Sequence, residues 1–251
     1  MRLKDKVAIV TGGSQGLGEV ICKRYAAEGA RVAVLNHAHP DKGQAVVKEI
    51  EAAGGKATYV CGDIVKVGDT ERVVAEVIEA FGTVDILVNN AGVYRKVTIE
   101  ETSEKDWDDT IDVNLKGAFM MVRAVLPEYK RKGRGKVINI SSVAGVGGFP
   151  GAVAYCASKG GLHVMTKAMC LELSRFGINV NTLSPGSFVT PTNQYLRDDE
   201  EWCAKMRERT ATGGDFVPAE ELTGAAVFLA SEEANYVHGA NLALDEGWTA
   251  W

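Results

Sequence analysis

No run of about 18 apolar residues occurs in the chain, so nothing in it reads as a membrane-spanning helix. No Cys-x-x-Cys pair occurs either. The five cysteines, Cys22, Cys61, Cys156, Cys170 and Cys203, are odd in number and scattered, which points to reduced thiols in a reducing compartment. No cluster of His, Cys and carboxylate residues has metal-ligand spacing, so no metal is expected. There is no basic stripe and no polybasic run, and the net charge of −5 mixes both signs throughout. Neither nucleic acid nor a membrane is therefore an expected partner. The charged segment Met1 to Lys6 leads straight into a strand-like stretch, so no secretory signal is expected and the cytoplasm is the expected location. Internal repeats and low-complexity segments are missing too.

What the chain does have is apolar content, 46% of 251 residues, enough for one large core in a single domain spanning residues 1–251. Lys6 to Thr11 is a β-branched run of the kind expected for a strand buried on both faces. It ends in Thr11-Gly12-Gly13-Ser14-Gln15-Gly16-Leu17-Gly18, after which Leu17, Val20, Ile21 and Tyr25 recur at helical spacing as far as Gly29. Glycines let the backbone pass close to a ligand, and the helix N-terminus offers free N–H groups to a phosphate, so a diphosphate fits there. A tight turn without a ligand is the plainer alternative.

A second strand, Arg31 to Leu35, leads to Asn36-His37-Ala38-His39, where a dinucleotide-binding fold inspects the adenosine ribose. Neither an Asp for NAD nor an Arg for NADP stands there. Asn36 does not repel a 2′-phosphate, and His37 or His39 is either a donor to one or an exposed loop residue. Pro40 to Ala53 reads as a helix and Lys56 to Val60 as a third strand, followed by Cys61-Gly62-Asp63-Ile64. Asp63 is placed either to accept from an adenine amino group or to cap the next helix, Val67 to Phe81. A fourth strand, Ile86 to Val88, ends in Asn89-Asn90-Ala91-Gly92, which suits a backbone beside a flat ligand or a turn that pins the strand.

One long helix is expected from Ser103 to Arg131. Asn114 inside it is a poor helix-interior residue, so a kink, a bound water or both are expected. Gly135 to Ser142 is a fifth strand that delivers two hydroxyls at its C-terminal end, and a glycine-rich loop from Val143 to Gly151 follows. The next helix carries Tyr155-Cys156-Ala157-Ser158-Lys159, and it places tyrosine and lysine on one face, a turn apart. A phenol titrates near ~10, so a neighbouring cation is what would let it exchange a proton at working pH. An ordinary surface pair has the same spacing. Asn179 to Leu183 and Asn241 to Leu244 read as the last strands. The polar segment from Ser187 to about Val217 interrupts the rhythm and is either a lid over substrate or a surface excursion.

Taken in order, Thr11-Gly-x-x-x-Gly16-x-Gly18, Asp63, Asn89-Asn90-Ala91-Gly92, Asn114, Ser142, Tyr155-x-x-x-Lys159, Pro185-Gly186 and Thr190 resemble the short-chain dehydrogenases/reductases over essentially the whole length. The resemblance implies an α/β fold, a doubly wound parallel sheet of about seven strands, with NAD or NADP as coenzyme. It implies hydride transfer between a secondary alcohol and a ketone. In family terms Tyr155 is the general acid/base and Ser142 polarises the substrate oxygen. Lys159 binds the nicotinamide ribose and lowers the tyrosine pKa, and Asn114 holds a proton-relaying water. Coenzyme contacts are implied for Gly12, Ser14, Gln15, Gly16, Leu17 and Gly18, for Asn36 and His37, and for Asp63 and Ile64. They are also implied for Asn90, Ala91 and Gly92, for Tyr155 and Lys159, and for Pro185, Gly186, Val189 and Thr190.

Where the family often carries Asp-Gly-Gly, this chain has Asp245-Glu246-Gly247 and then Trp248-Thr249-Ala250-Trp251. Two tail tryptophans are expected in a subunit interface of a homotetramer. A polyol, sugar or sugar acid is the expected substrate, with Tyr94, Arg95, Val143, Phe149, Phe188 and Gln194 as walls; Arg95 in the pocket would select an anionic one. A 3-oxoacyl-thioester reductase is the alternative, with Arg123, Lys130, Arg131, Lys132 and Arg134 available to dock an acyl carrier. A coenzyme-binding regulator without turnover is a third reading.

Overall fold

Short runs of β-branched and small residues build seven strands: β1 (Val7–Thr11), β2 (Arg31–Asn36), β3 (Lys56–Cys61), β4 (Ile86–Asn89), β5 (Gly135–Ile140), β6 (Ile178–Pro185) and β7 (Asn241–Leu244). In the computed structural model, which describes residues 1–251, they form one sheet in the order β3-β2-β1-β4-β5-β6-β7. Every neighbouring pair is parallel. The helices are α1 (Gly16–Ala27), α2 (Pro40–Ala52), α3 (Val67–Phe81), α4 (Glu104–Ile111), α5 (Gly117–Lys132), α6 (Val153–Leu173), α7 (Gln194–Arg197), α8 (Glu200–Arg209) and α9 (Thr223–Ala230). The strand order reverses between β1 and β4, which places a ligand crevice at their C-terminal ends.

Side-chain alternation divides the core between the two faces of the sheet. Ala8 and Val10 of β1 join Val32 and Val34 of β2 in a cluster with α1, α2 and α9. Val7 and Ile9 join Ala33 and Leu35 in a second cluster with α3 and α5. Tyr25, buried in the first cluster, donates its hydroxyl to the Ala226 carbonyl at 2.8 Å, so its one polar atom is satisfied.

The single helix expected over Ser103 to Arg131 is present as one unbroken helical run from Glu104 to Lys132, and it is irregular at Asn114. Ser103 starts α4 with a reciprocal cap, its hydroxyl accepting from the Asp106 N–H and its own N–H donating to the Asp106 carboxylate. Asp112–Lys116 then forms a π turn in which the Gly117 N–H reaches the Asp112 carbonyl, and the chain continues as α5. One extra residue per turn is the usual way a helix accommodates a side chain that must point inward at a site. Asn114 lies in that turn, buried.

The fifth strand also stops earlier than expected, at Ile140, because Ser142 leaves the sheet to cap the 3₁₀ turn Val143–Gly145. Residues 187–217 carry α7 and α8 and close on themselves. Phe188 pairs with Val217, the Val189 N–H donates to the Val217 carbonyl at 2.8 Å, and the Val217 N–H donates to the Ser187 carbonyl at 2.9 Å. The tail departs from expectation at Trp248. Trp248 is buried within its own chain, stacked on Phe149 at 4.9 Å and 11°, while Trp251 stays exposed. Stacking on an internal aromatic covers Trp248 without a partner subunit. No helix is long and apolar enough to cross a membrane, and all five cysteines are free.

Candidate active site

Four chain segments meet at the C-terminal ends of β4 and β5. Ser141 is buried and donates its hydroxyl to the Lys159 carbonyl at 3.0 Å, which ties the end of β5 to α6. Gly145 permits this approach, since a Cβ there would lie 2.7 Å from the same carbonyl. Ser142, one residue on, accepts from the Ala144 N–H at 3.1 Å and faces the phenol of Tyr155. The two hydroxyls thus divide: Ser141 anchors the helix and Ser142 stays beside the Tyr155 phenol.

Burial pushes the Tyr155 phenol up to about 12; the hydrogen bond with Ser142 opposes that rise and the neighbouring Cys156 adds to it. Lys159 is buried 5.6 Å from the centre of the Tyr155 ring, and its ammonium donates to the Ile140 carbonyl at 2.8 Å. Burial brings it down to about 8. The expected lowering of the tyrosine by the lysine is therefore not what the structure has. Loss of solvent disfavours both charged forms.

The Asn114 amide is committed to protein partners. Its Oδ1 accepts from the Val93 N–H at 2.7 Å, and its Nδ2 donates to the Val93 carbonyl at 2.9 Å and to Ser158 Oγ at 3.1 Å. A water has only the remaining Oδ1 lone pair of this side chain to use. Gly92 packs into the same corner: a Cβ there would lie 3.3 Å from Asn114 Oδ1 and 3.6 Å from Lys159 Nζ. The turn after β4, the π turn and α6 are thereby locked together.

The glycine turn has the form that a coenzyme diphosphate requires. Gly12 and Gly16 have φ of +64° and +57°, a Cβ on Gly12 would lie 3.0 Å from Ala91 Cα, and one on Gly18 would collide with the Gly12 carbonyl. Gln15, at the N-cap of α1, makes no side-chain cap, so the first N–H groups of that helix are open to an anion. Thr190 lies 3.5 Å from where a Gly16 Cβ would be, which brings the start of the 187–217 segment over the turn.

Several expected contact residues serve the scaffold. Asn90 donates from Nδ2 to the carbonyls of Thr11 and Gly12, at 2.9 and 3.2 Å, while the N–H groups of Asn90 and Ala91 donate to Thr11 Oγ1. Asn89 donates to Asn139 Oδ1 at 2.8 Å. The strand-pinning reading of this turn is the one realised for both asparagines. Leu17 and Ile64 pack against the two core clusters. Asp63 does not cap α3, whose N-cap is Lys66; its Oδ1 accepts from the Val65 N–H at 3.2 Å. Pro185 ends β6 opposite Leu244, and a Cβ on Gly186 would lie 2.9 Å from Asp245 Cα. Ser14 is buried and takes a hydrogen bond from Asn36 Nδ2.

Of the expected walls, Tyr94 sets its ring edge against Tyr155 at 5.0 Å, and Phe149 lies between Trp248 and Trp202. Phe188 and Val143 are buried, Phe188 within the apolar core, and Gln194 donates to Asp198. Arg95 offers no free cation, because its guanidinium pairs with Asp106 and Asp109. Trp202, and Lys96 whose ammonium sits 5.0 Å over its ring, escaped the sequence reading. Three of the five basic residues considered for docking an acyl carrier lie at the opposite edge. Arg131, Lys132 and Arg134 line a recess with Lys4 and Lys6 at the strands' N-terminal ends, where Lys132 is held by the Val84 carbonyl and Asp85.

Comparison with known proteins agrees with this geometry. The sequence model of the short chain dehydrogenase family matches residues 6–201. Cyclopentanol dehydrogenase of a Comamonas species is 36% identical over 99% of both chains. A 3-oxoacyl-[acyl-carrier-protein] reductase of Staphylococcus epidermidis is 36% identical over 97% of this chain and 98% of its own. Among solved structures, a gluconate 5-dehydrogenase from Burkholderia cenocepacia in complex with NADP and tartrate superposes with a TM-score of 0.95 at 32% identity, covering 100% of this chain and 98% of that one.

Proposed function

This chain belongs to the short chain dehydrogenase family and is an NAD(P)-dependent oxidoreductase of CH–OH groups, and within that family we propose that its substrate is a polyol, sugar or sugar acid. What supports this reading is the likeness to a gluconate 5-dehydrogenase in complex with NADP and tartrate, at a TM-score of 0.95 over the whole chain. Beside Tyr155 stands the ring edge of Tyr94, an aromatic surface that suits the C–H side of a hydroxylated skeleton.

In this reading Tyr155 is the general acid and base. With its pKa near about 12 the phenol is neutral at working pH, so it gives a proton to the substrate oxygen during reduction and takes one back during oxidation. Ser142 donates to the same oxygen and keeps it beside the phenol. Lys159 binds the nicotinamide ribose, and its charge opposes the negative charge that builds on the oxygen. Asn114 fixes the Val93 turn and Ser158, and accepts from a water that carries the proton onward. When bound, the coenzyme supplies or takes up the hydride at the substrate carbon. Residues 187–217 act as a lid that excludes water, attached to a single Rossmann-type domain.

Exposed Trp107, Phe119, Val164 and Leu171 on α4, α5 and α6 support a homotetramer built on those helices, and the free thiols suit the cytoplasm. Light scattering would find a monomer if that assembly were wrong. The substrate reading is tested by NAD(P)H absorbance with polyols, sugars, sugar acids, plain ketones and acyl thioesters, for wild type and Tyr155→Phe. Turnover confined to plain ketones or acyl thioesters would reject it.

A further inference from the structure

We infer that Lys42, in the first turn of α2, receives the 2′-phosphate of NADP(H), so that the enzyme favours NADP(H) over NAD(H). This rests on the coenzyme reading above. At the end of β2 the Asn36 amide is already engaged: Oδ1 accepts from the His37 and Ala38 N–H groups at 2.9 and 3.4 Å, and Nδ2 donates to Ser14. Asn36 therefore has neither the carboxylate that would repel a 2′-phosphate nor a charge that would attract one. Lys42 supplies the charge. Its ammonium crosses from α2 to the glycine turn and donates to Gln15 Oε1 at 3.1 Å, a neutral partner.

A second, independent feature faces the same anion. His39, the N-cap of α2, has left-handed backbone (φ +73°) and no side-chain cap bond, and Pro40 has no N–H, so in this 13-residue helix the N–H groups of Asp41 and Lys42 are the unsatisfied ones where β2 ends. The Asn36 carbonyl is engaged as well, accepting from the Tyr59 hydroxyl at 3.1 Å. A phosphate monoester carries close to two negative charges at neutral pH and accepts from both an ammonium and helix N–H groups. A bare 2′-hydroxyl gains little from either. The gap of 27 positions between Gln15 and Lys42 hides the pair from motif reading.

The test is a binding titration, following energy transfer from the protein's tryptophans to NADPH or NADH, for wild type, Lys42→Ala and Lys42→Arg. Wild type should bind NADPH the more tightly. Lys42→Ala should raise the Kd for NADPH about tenfold, equivalent to ~1.4 kcal/mol, and move that for NADH less than twofold; Lys42→Arg should keep the preference. Equal weakening of both coenzymes would show that Lys42 merely shapes the glycine turn through Gln15, and would overturn the inference. So would an unchanged NADPH affinity, or a wild type that prefers NADH. Because binding is read without turnover, tight and selective NADPH binding with no alcohol oxidised would defeat the substrate reading and leave this one standing.

Discussion

Each edge of the sheet buries a lysine, and the two are satisfied in different ways. At the N-terminal edge Lys136 donates to Asn179 Oδ1 at 3.0 Å and to Asn235 Oδ1 at 2.7 Å. Burial lowers its pKa, against an opposing pull from Glu232, and Asn179 in turn donates to the carbonyls of Asn235 and Val237. Two of the three Lys136 donors are thus met. At the C-terminal edge Lys159 has one carbonyl acceptor, Ile140, and the face of a tyrosine ring. An ammonium has three donors, so two remain for something else. The fold leaves more hydrogen bonding unmet at the edge where a ligand arrives than at the other.

The comparison breaks first under Tyr155→Phe, which should cost about 10²–10⁴-fold in kcat while the Kd for NAD(P)H and the urea midpoint stay close to wild type. A variant that kept its turnover would remove the open edge from catalysis. Lys136→Met should do the opposite, costing ~1–3 kcal/mol by leaving the Asn179 and Asn235 oxygens without a donor, with kcat preserved; denaturant unfolding and initial rates measure the two halves.

Lys159→Met sharpens the contrast through pH. The folded pKa of Lys159, about 8, lies below its ordinary 10.5, so between those values the unfolded chain binds more protons and its contribution to stability rises with pH. Below about pH 8 the penalty for the buried charge is constant. The stability difference between wild type and the methionine variant should thus be level up to about pH 8 and shift in favour of wild type toward pH 10. A difference independent of pH would mean that Lys159 is not desolvated. The smallest effect belongs to Arg95→Ala: with the guanidinium already paired to Asp106 and Asp109 at an exposed site, KM should move less than twofold and stability by ~0–1 kcal/mol.

The strands were legible because buried parallel strands are continuous β-branched runs, and β1 through β6 fall within a residue or two of expectation. Tyr155, Lys159 and Ser142 were legible by their order along the chain. Asn114 was legible as a misfit, though not the Val93 and Ser158 partners that explain it. Hidden throughout were pairings made across distance. The Trp248–Phe149 stack, the Lys96–Trp202 contact and the Lys42–Gln15 bridge join elements whose separation no periodicity records. The ion pairs of Arg95 were hidden for a related reason. Its partners belong to α4, and a charge on a loop does not announce which helix will neutralise it.

The pairing of Phe188 with Val217 has a consequence for how this protein can change. Since residues 187 and 217 lie side by side, the chain enters and leaves the intervening segment through one narrow neck. Lengthening or exchanging that insert costs little in loop closure, because each doubling of a loop adds only ~0.6 kcal/mol. The segment also grips the tail, the Ala211 N–H donating to the Glu246 carbonyl at 2.8 Å. A graft from a relative joined at Ser187 and Val217 therefore has to keep that tail contact if the sheet and Tyr155 are to stay in register.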